Sequence, residues 1–188
     1  MKKYTMIHDE NLCIGCQACS VACRSENDVP RGVYRLQVHA KMSGTFPNLK
    51  TDFIRHSCVM CEDSPCVDVC PTGASFKTAE NITLLDHSIC ISCKYCILAC
   101  PYDARYVEPS SGEIGKCTFC YTNRLSVGQE PACVSVCPTD ALIFGDLNDE
   151  NSQVAKTLKT SPHYYPKAEL LTRPQLAMIA NTKGAKDE

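Results

Sequence analysis

Sixteen cysteines stand in a chain of 188 residues and fall into four groups of four, with none left over. The groups are Cys13/Cys16/Cys19/Cys23, Cys58/Cys61/Cys66/Cys70, Cys90/Cys93/Cys96/Cys100 and Cys117/Cys120/Cys133/Cys137. Four converging thiolates hold one cubane iron–sulfur cluster. Four complete sets therefore predict four [4Fe-4S] clusters, and four one-electron centres in one small chain predict a wire. Groups one and three have the C-x₂-C-x₂-C-x₃-C spacing of bacterial ferredoxins, with the terminal proline, Pro101, only in group three. Group two reads C-x₂-C-x₄-C-x₃-C-P from Cys58 to Pro71, and group four stretches the middle gap to x₁₂ between Cys120 and Cys133. Cysteines at i, i+3 and i+6 let a loop wrap around one cluster. The fourth starts a short helix and points away. In two-cluster ferredoxins it ligates the neighbouring cluster.

Other uses of cysteine fit less well. Disulfides form in oxidising compartments, and neighbouring thiols two residues apart are poor partners for one another. Met1 to His8 has two lysines but no apolar stretch, cleavage site or twin arginine, so no export signal is visible. A zinc site uses two separated pairs and has no use for a third cysteine followed by a fourth after x₃. A zinc-binding interaction module remains the rival from that side, and protein colour separates the two. His8, His39, His56, His87 and His163 show no ligand spacing with one another, so each is expected as a surface or hydrogen-bonded histidine. A Rieske centre is excluded, because the four groups contain no histidine. With every thiol committed to iron, no catalytic residue is expected. A net charge of −2 argues against nucleic acid, and no apolar run approaches the ~20 residues of a membrane span.

Short strands must bring the cysteine loops together. Strands are expected at Lys3 to His8, Ile82 to Asp86 and Ala141 to Phe144. One hairpin is expected from Tyr34 to His39 and Thr51 to His56, and another from Tyr106 to Glu108 and Glu113 to Lys116 around Pro109-Ser110-Ser111-Gly112. The core is small, so the clusters replace much of it and their loss should unfold the chain. Residues 151–188 hold no cysteine. Asn151 to Leu158 and Glu169 to Ala180 are expected as short helices, the latter with Pro174 inside or at its start. Tyr164, Tyr165, Leu170, Leu171, Leu176 and Ile179 make the segment too apolar for a free tail, which points to an arm on a partner.

Further likeness lies in His8-Asp9-Glu10 before group one, in Cys66-Val67-Asp68-Val69-Cys70-Pro71-Thr72-Gly73-Ala74, and in Lys116-Cys117-Thr118-Phe119-Cys120 with Pro131-Ala132-Cys133-Val134-Ser135-Val136-Cys137-Pro138-Thr139-Asp140-Ala141-Leu142. On these residues the chain resembles the four-cluster, ferredoxin-like electron-transfer subunit of molybdopterin oxidoreductases, most of all that of polysulfide and thiosulfate reductases. The resemblance covers roughly residues 4–145. It implies an α+β fold of two interlocked bacterial-type ferredoxin-like modules with inserted β-hairpins and a C-terminal arm. Module A would take 1–33 and 101–150, with groups one and four. Module B would take 57–100, with groups two and three. Residues 34–56 would form an inserted hairpin and 151–188 the arm on a partner subunit.

The ligand sets follow from the resemblance, not from spacing. Cluster 1 takes Cys13, Cys16, Cys19 and Cys137, and cluster 2 takes Cys117, Cys120, Cys133 and Cys23. Cluster 3 takes Cys58, Cys61, Cys66 and Cys100, and cluster 4 takes Cys90, Cys93, Cys96 and Cys70. The implied function is electron relay between a quinol-oxidising membrane anchor subunit and a molybdopterin catalytic subunit, for polysulfide- or thiosulfate-type anaerobic respiration. The implied place is peripheral on the cytoplasmic membrane, on the periplasmic face by co-export, with the cytoplasmic face as the alternative. Rival readings are a diffusible polyferredoxin and the equivalent subunit of a dimethyl sulfoxide, tetrathionate or formate enzyme. Lys94, Arg105, Lys116 and Arg124 are candidate counter-charges to the clusters, against the plainer reading of solvated cations.

Overall fold

The computed structural model describes residues 1–182. Strand β1 (Tyr4–Asp9) lies at the centre of the only three-stranded sheet among the described residues. It pairs antiparallel with β8 (Leu142–Asp146) and parallel with β9 (Leu176–Ile179), giving the order β8-β1-β9. Alternation along a strand sends neighbouring side chains to opposite faces. Met6 accordingly joins the main core with Leu36, Met60, Phe119, Phe144 and Leu176, while Ile7 joins Val154, Ala177 and Ile179 beneath helix α5 (Gln153–Thr160). Cys23, Cys117 and Cys133 belong to the main core itself.

Two hairpins form, the first with longer strands than the 34–39 and 51–56 expected. Strands β2 (Leu36–Thr45) and β3 (Asn48–Ser57) pair antiparallel from Leu36↔Ser57 to Thr45↔Asn48. Leu36, Val38, Arg55 and Ser57 are buried at the hairpin base, while Met42, Phe46 and Leu49 are exposed towards its tip. Strands β6 (Arg105–Val107) and β7 (Ile114–Lys116) pair through Arg105↔Lys116. The first hairpin leads from group one to group two, and the second from group three to group four. A third small pair, β4 (Ser75–Lys77) and β5 (Thr83–Leu85), joins group two to group three.

Helices in the cysteine region are short because each begins inside a cysteine group. Helix α1 (Ala18–Glu26) has nine residues, whereas α2 (Pro65–Asp68), α3 (Tyr95–Leu98) and α4 (Ala132–Ser135) have four each. Group one lacks the terminal proline, and there alone the helix runs on past its last cysteine.

The tail departs from expectation. The helix expected over Glu169 to Ala180 is instead a single 3₁₀ turn, Ala168–Leu170, followed by strand β9. Pro174 disfavours helix in the residue before it, and Leu171 and Arg173 adopt positive φ of 55° and 48°, which ends any helix. Leu176 and Ile179 are covered by the chain's own sheet, so their apolar character is satisfied without a partner. Leu170 and Leu171 stay exposed. The last six residues of the expected arm lie outside the described residues.

Candidate metal centres

All four groups repeat one backbone device. The residue before each second cysteine has positive φ: Gly15 at 68°, Met60 at 50°, Ser92 at 52° and Phe119 at 52°. Only glycine adopts this region without strain, and bulky residues there cost of order 1–3 kcal/mol. Group one meets the requirement with Gly15 and the other three loops accept that cost at the same place, so the same wrapped C-x-x-C loop is formed four times. Gln17 and Lys94 repeat a second left-handed turn, at φ 63° and 66°, where α1 and α3 begin. After the fourth cysteine of groups two, three and four, the amides of Gly73, Asp103 and Asp140 donate to the carbonyls of Cys70, Cys100 and Cys137 at 3.3, 3.3 and 3.4 Å.

These loops line three cavities. One is lined by Cys13, Cys16, Cys19 and Cys137 together with His8 and Arg55. A second is lined by Cys23, Cys117, Cys120 and Cys133, again with Arg55. A third is lined by Cys58, Cys61, Cys66 and Cys100 with Arg105. Each brings three thiols of one group to one thiol of another. The remaining set ranges from buried Cys96 to exposed Cys93. Cys96 is within electrostatic reach of Cys90 and of Cys66, and packing of α3 on α2 brings group three against group two. No cavity among those described gathers Cys70 with Cys90, Cys93 and Cys96.

The donor set fits iron–sulfur clusters. Each cavity has four thiols set around a volume. Among the described residues no group of three His, Cys, Asp or Glu side chains is placed to hold a single metal ion. Burial, the largest influence, pushes the Cys19 and Cys117 thiols up to about 11 and Cys61 up to about 12. It raises Cys23 as well, with Cys117 and Cys133 adding to the effect. Without metal these thiols hold their protons, and ligation must release them. Hydrogen-bond donors are also in place. The amides of Ser75 and Phe119 point at the sulfurs of Cys70 and Cys117 at 3.3 and 3.5 Å. Asn27 Nδ2 lies 3.9 Å from both Cys23 Sγ and Cys120 Sγ, oriented by Arg35 Nη1 donating to its Oδ1 at 2.9 Å.

Charged and titratable residues sort differently than the sequence alone indicated. Arg105 is buried within reach of the Cys66 and Cys96 thiols, and Lys116 is buried with its ammonium on the Cys117 carbonyl, but Lys94 is exposed. Arg124 pairs with Glu26 at 3.2 Å and donates to the Glu130 carbonyl at 2.6 Å, so its charge is met by a carboxylate. Arg55 carried no motif signal, yet it borders two cavities. His8 is neither a surface nor a hydrogen-bonded histidine: it is 2% exposed, and neither ring nitrogen has a hydrogen-bond partner. Burial, aided by the charge of Arg55, lowers its pKa to about 4, so it stands neutral at the first cavity. His8-Asp9-Glu10 was the available signal for it. Cys16 and Cys93, the second cysteines of groups one and three, are exposed, flanked by exposed Ile14 and Val21 at one and Ile91 and Leu98 at the other.

Comparisons with known proteins agree with the donor set. Two models of the 4Fe-4S dicluster domain match the chain, over residues 12–74 and 49–147. The B subunit of polysulfide reductase from Wolinella succinogenes is 52% identical over 97% of each protein. The thiosulfate reductase electron transfer subunit PhsB of Salmonella typhi is 52% identical over 80% of each protein. Protein NrfC of Escherichia coli is 48% identical over 94% of this chain and 80% of its own. With the sixteen cysteines arranged as above, the chain belongs to the 4Fe-4S dicluster family of non-catalytic electron-transfer subunits of molybdopterin oxidoreductases, alongside the polysulfide reductase B subunit and its thiosulfate reductase counterpart.

Proposed function

We propose that the chain holds four [4Fe-4S] clusters as a single-file wire between a quinol-oxidising membrane anchor subunit and a molybdopterin catalytic subunit, in polysulfide- or thiosulfate-type respiration. One observation carries this reading: three thiols of one cysteine group meet one of another around each of the three cavities. The ligand sets are then Cys13, Cys16, Cys19 and Cys137; Cys117, Cys120, Cys133 and Cys23; Cys58, Cys61, Cys66 and Cys100; and Cys90, Cys93, Cys96 and Cys70. Groups one and four interlock in one module and groups two and three in the other, with the 34–56 hairpin between the first two groups. When bound, each cluster takes up and releases one electron without forming or breaking a bond to a substrate.

Proximity among the thiols supports an order for the four sets. Cys19 of the first set is within electrostatic reach of Cys133 of the second. Cys117 of the second is within reach of Cys58 of the third, and Cys96 of the fourth within reach of Cys66 of the third. Those proximities favour a linear route with Cys16 and Cys93 at its ends. The end at Cys16 is assigned to the catalytic subunit and the end at Cys93 to the anchor. No described helix is long and apolar enough to cross a membrane, so attachment goes through the anchor subunit. Among the described residues of the tail, the exposed Tyr164, Leu170 and Leu171 are left for a partner. The periplasmic face, reached by co-export with the catalytic subunit, is the proposed location.

The test is analytical. Anaerobically purified protein should be brown and contain sixteen iron and sixteen labile sulfide per chain, and a tagged chain should co-purify with a molybdopterin subunit after gentle membrane extraction. Colourless protein with zinc, or a lone monomer after such extraction, would sink the reading.

A further inference from the structure

Three basic side chains are buried deep in the molecule, and no ion pair among the described residues includes any of them. Arg55 is 5% exposed, Lys116 3% and Arg105 5%. An unpaired buried cation is expensive, so an anion must meet each one. Their surroundings say which. Arg55 borders both the first and second cavities. Its Nε donates to Ser57 Oγ at 2.9 Å, its Nη1 lies 3.8 Å from Cys133 Sγ, and its Nη2 has no partner. Arg105 borders the third cavity and reaches Cys66 of that set and Cys96 of the next. Its Nη2 donates to Ser75 Oγ at 2.6 Å, and its Nη1 has no partner. Lys116 Nζ donates to the Cys117 carbonyl at 2.6 Å and lies 3.9 Å from Met60 Sδ, which places it between group four and the first cysteine pair of group two.

We propose that Arg55, Lys116 and Arg105 are inter-cluster cations, one at each of the three junctions of the wire: first to second, second to third and third to fourth. The assignment rests on the four-cluster reading above. Four thiolates outweigh the cluster core, so every loaded site is an anion, and an electron on one site repels an electron on the next. A fixed positive charge between two such sites stabilises the reduced form of both and weakens that repulsion, most strongly where water is excluded. In each step one site loses an electron and its neighbour gains it. The cations exchange neither electron nor proton, so they are positioning residues. The electrons enter and leave through the partner subunits. The cations come from different places in the chain: Arg55 from the return strand of one hairpin, Arg105 from the outgoing strand of the other, and Lys116 from the return strand paired with Arg105.

The test is a potentiometric titration of the loaded protein followed by electron paramagnetic resonance. Signals are assigned beforehand with one Cys→Ser variant per set. Arg55→Gln should lower the midpoints of the first and second clusters by at least the ~59 mV that a tenfold change in a one-electron equilibrium represents, leaving the third and fourth in place. Lys116→Met should lower the second and third, and Arg105→Gln the third and fourth. Arg55→Lys and Arg105→Lys keep the charge and should shift the same pairs by less than the Gln variants. They also carry the test if a Gln variant loses iron. Equal shifts of all four clusters, no shift at full iron content, or Lys variants that shift as much as Gln would overturn the junction assignment. A wild-type chain with fewer than sixteen iron would instead overturn the four-cluster reading, whatever the variants do.

Discussion

Cys23 is the residue at which the ligand assignment is most exposed to test. It is the last cysteine of group one in sequence but shares its cavity with Cys117, Cys120 and Cys133. Cys23→Ser is therefore expected to alter the spectrum of the cluster held by group four and to leave the one held by Cys13, Cys16 and Cys19 intact; the reverse pattern would break the pairing. Gly15 offers a second test. Its φ is +68°, and an added Cβ would come within 2.4 Å of the Phe53 ring. Gly15→Ala should make the first cluster lose iron to a chelator faster than wild type, whereas Gly32→Ala, with nothing within 4 Å of its Cβ, should not. Cysteine spacing made every proposed ligand legible. It could not reveal Arg55, whose partner thiols lie on segments as far away as Cys133. It also could not reveal Met60 and Phe119 at positive φ, because neither residue type favours that conformation.

Among the elements, the tail is the part where local pattern gave way to a distant partner. Pro109-Ser110-Ser111-Gly112 announces the second hairpin, whose strands are close in sequence, whereas Ser43-Gly44, which also reads as a turn, lies within β2 of the first, paired with Lys50 and Leu49. Strand β9 pairs in parallel with β1 across most of the chain, Met6 opposite Leu176, and a parallel register leaves no turn signal to read. Its contribution is measurable. Leu176 is 1% exposed in the main core, so Leu176→Ala should cost about 2–5 kcal/mol in denaturant unfolding of the loaded protein. Helix α5 depends on a smaller device: Ser152 Oγ accepts from the Ala155 amide at 3.1 Å. Ser152→Ala should cost about 1 kcal/mol and leave the visible spectrum unchanged, since the helix rests on the Ile7 face of the sheet, turned from the thiols.

For the whole molecule, cysteines form part of the main core, so metal and fold should fail together. Removing iron with a chelator is expected to unfold the chain in one transition, with loss of visible absorbance and of far-ultraviolet dichroism coinciding; dichroism that survives bleaching would show a core independent of the clusters. The two ends of the proposed route carry a different liability. Cys16 and Cys93 are exposed while the cysteines at the inner junctions, such as Cys117 and Cys133, are buried. A chain apart from its partners is then a conductor with bare terminals, from which electrons can leak to dioxygen. In air the two terminal clusters should bleach before the two inner ones. On this view the partner subunits also serve as insulation, and the order in which they cover Cys16 and Cys93 decides how much iron survives assembly.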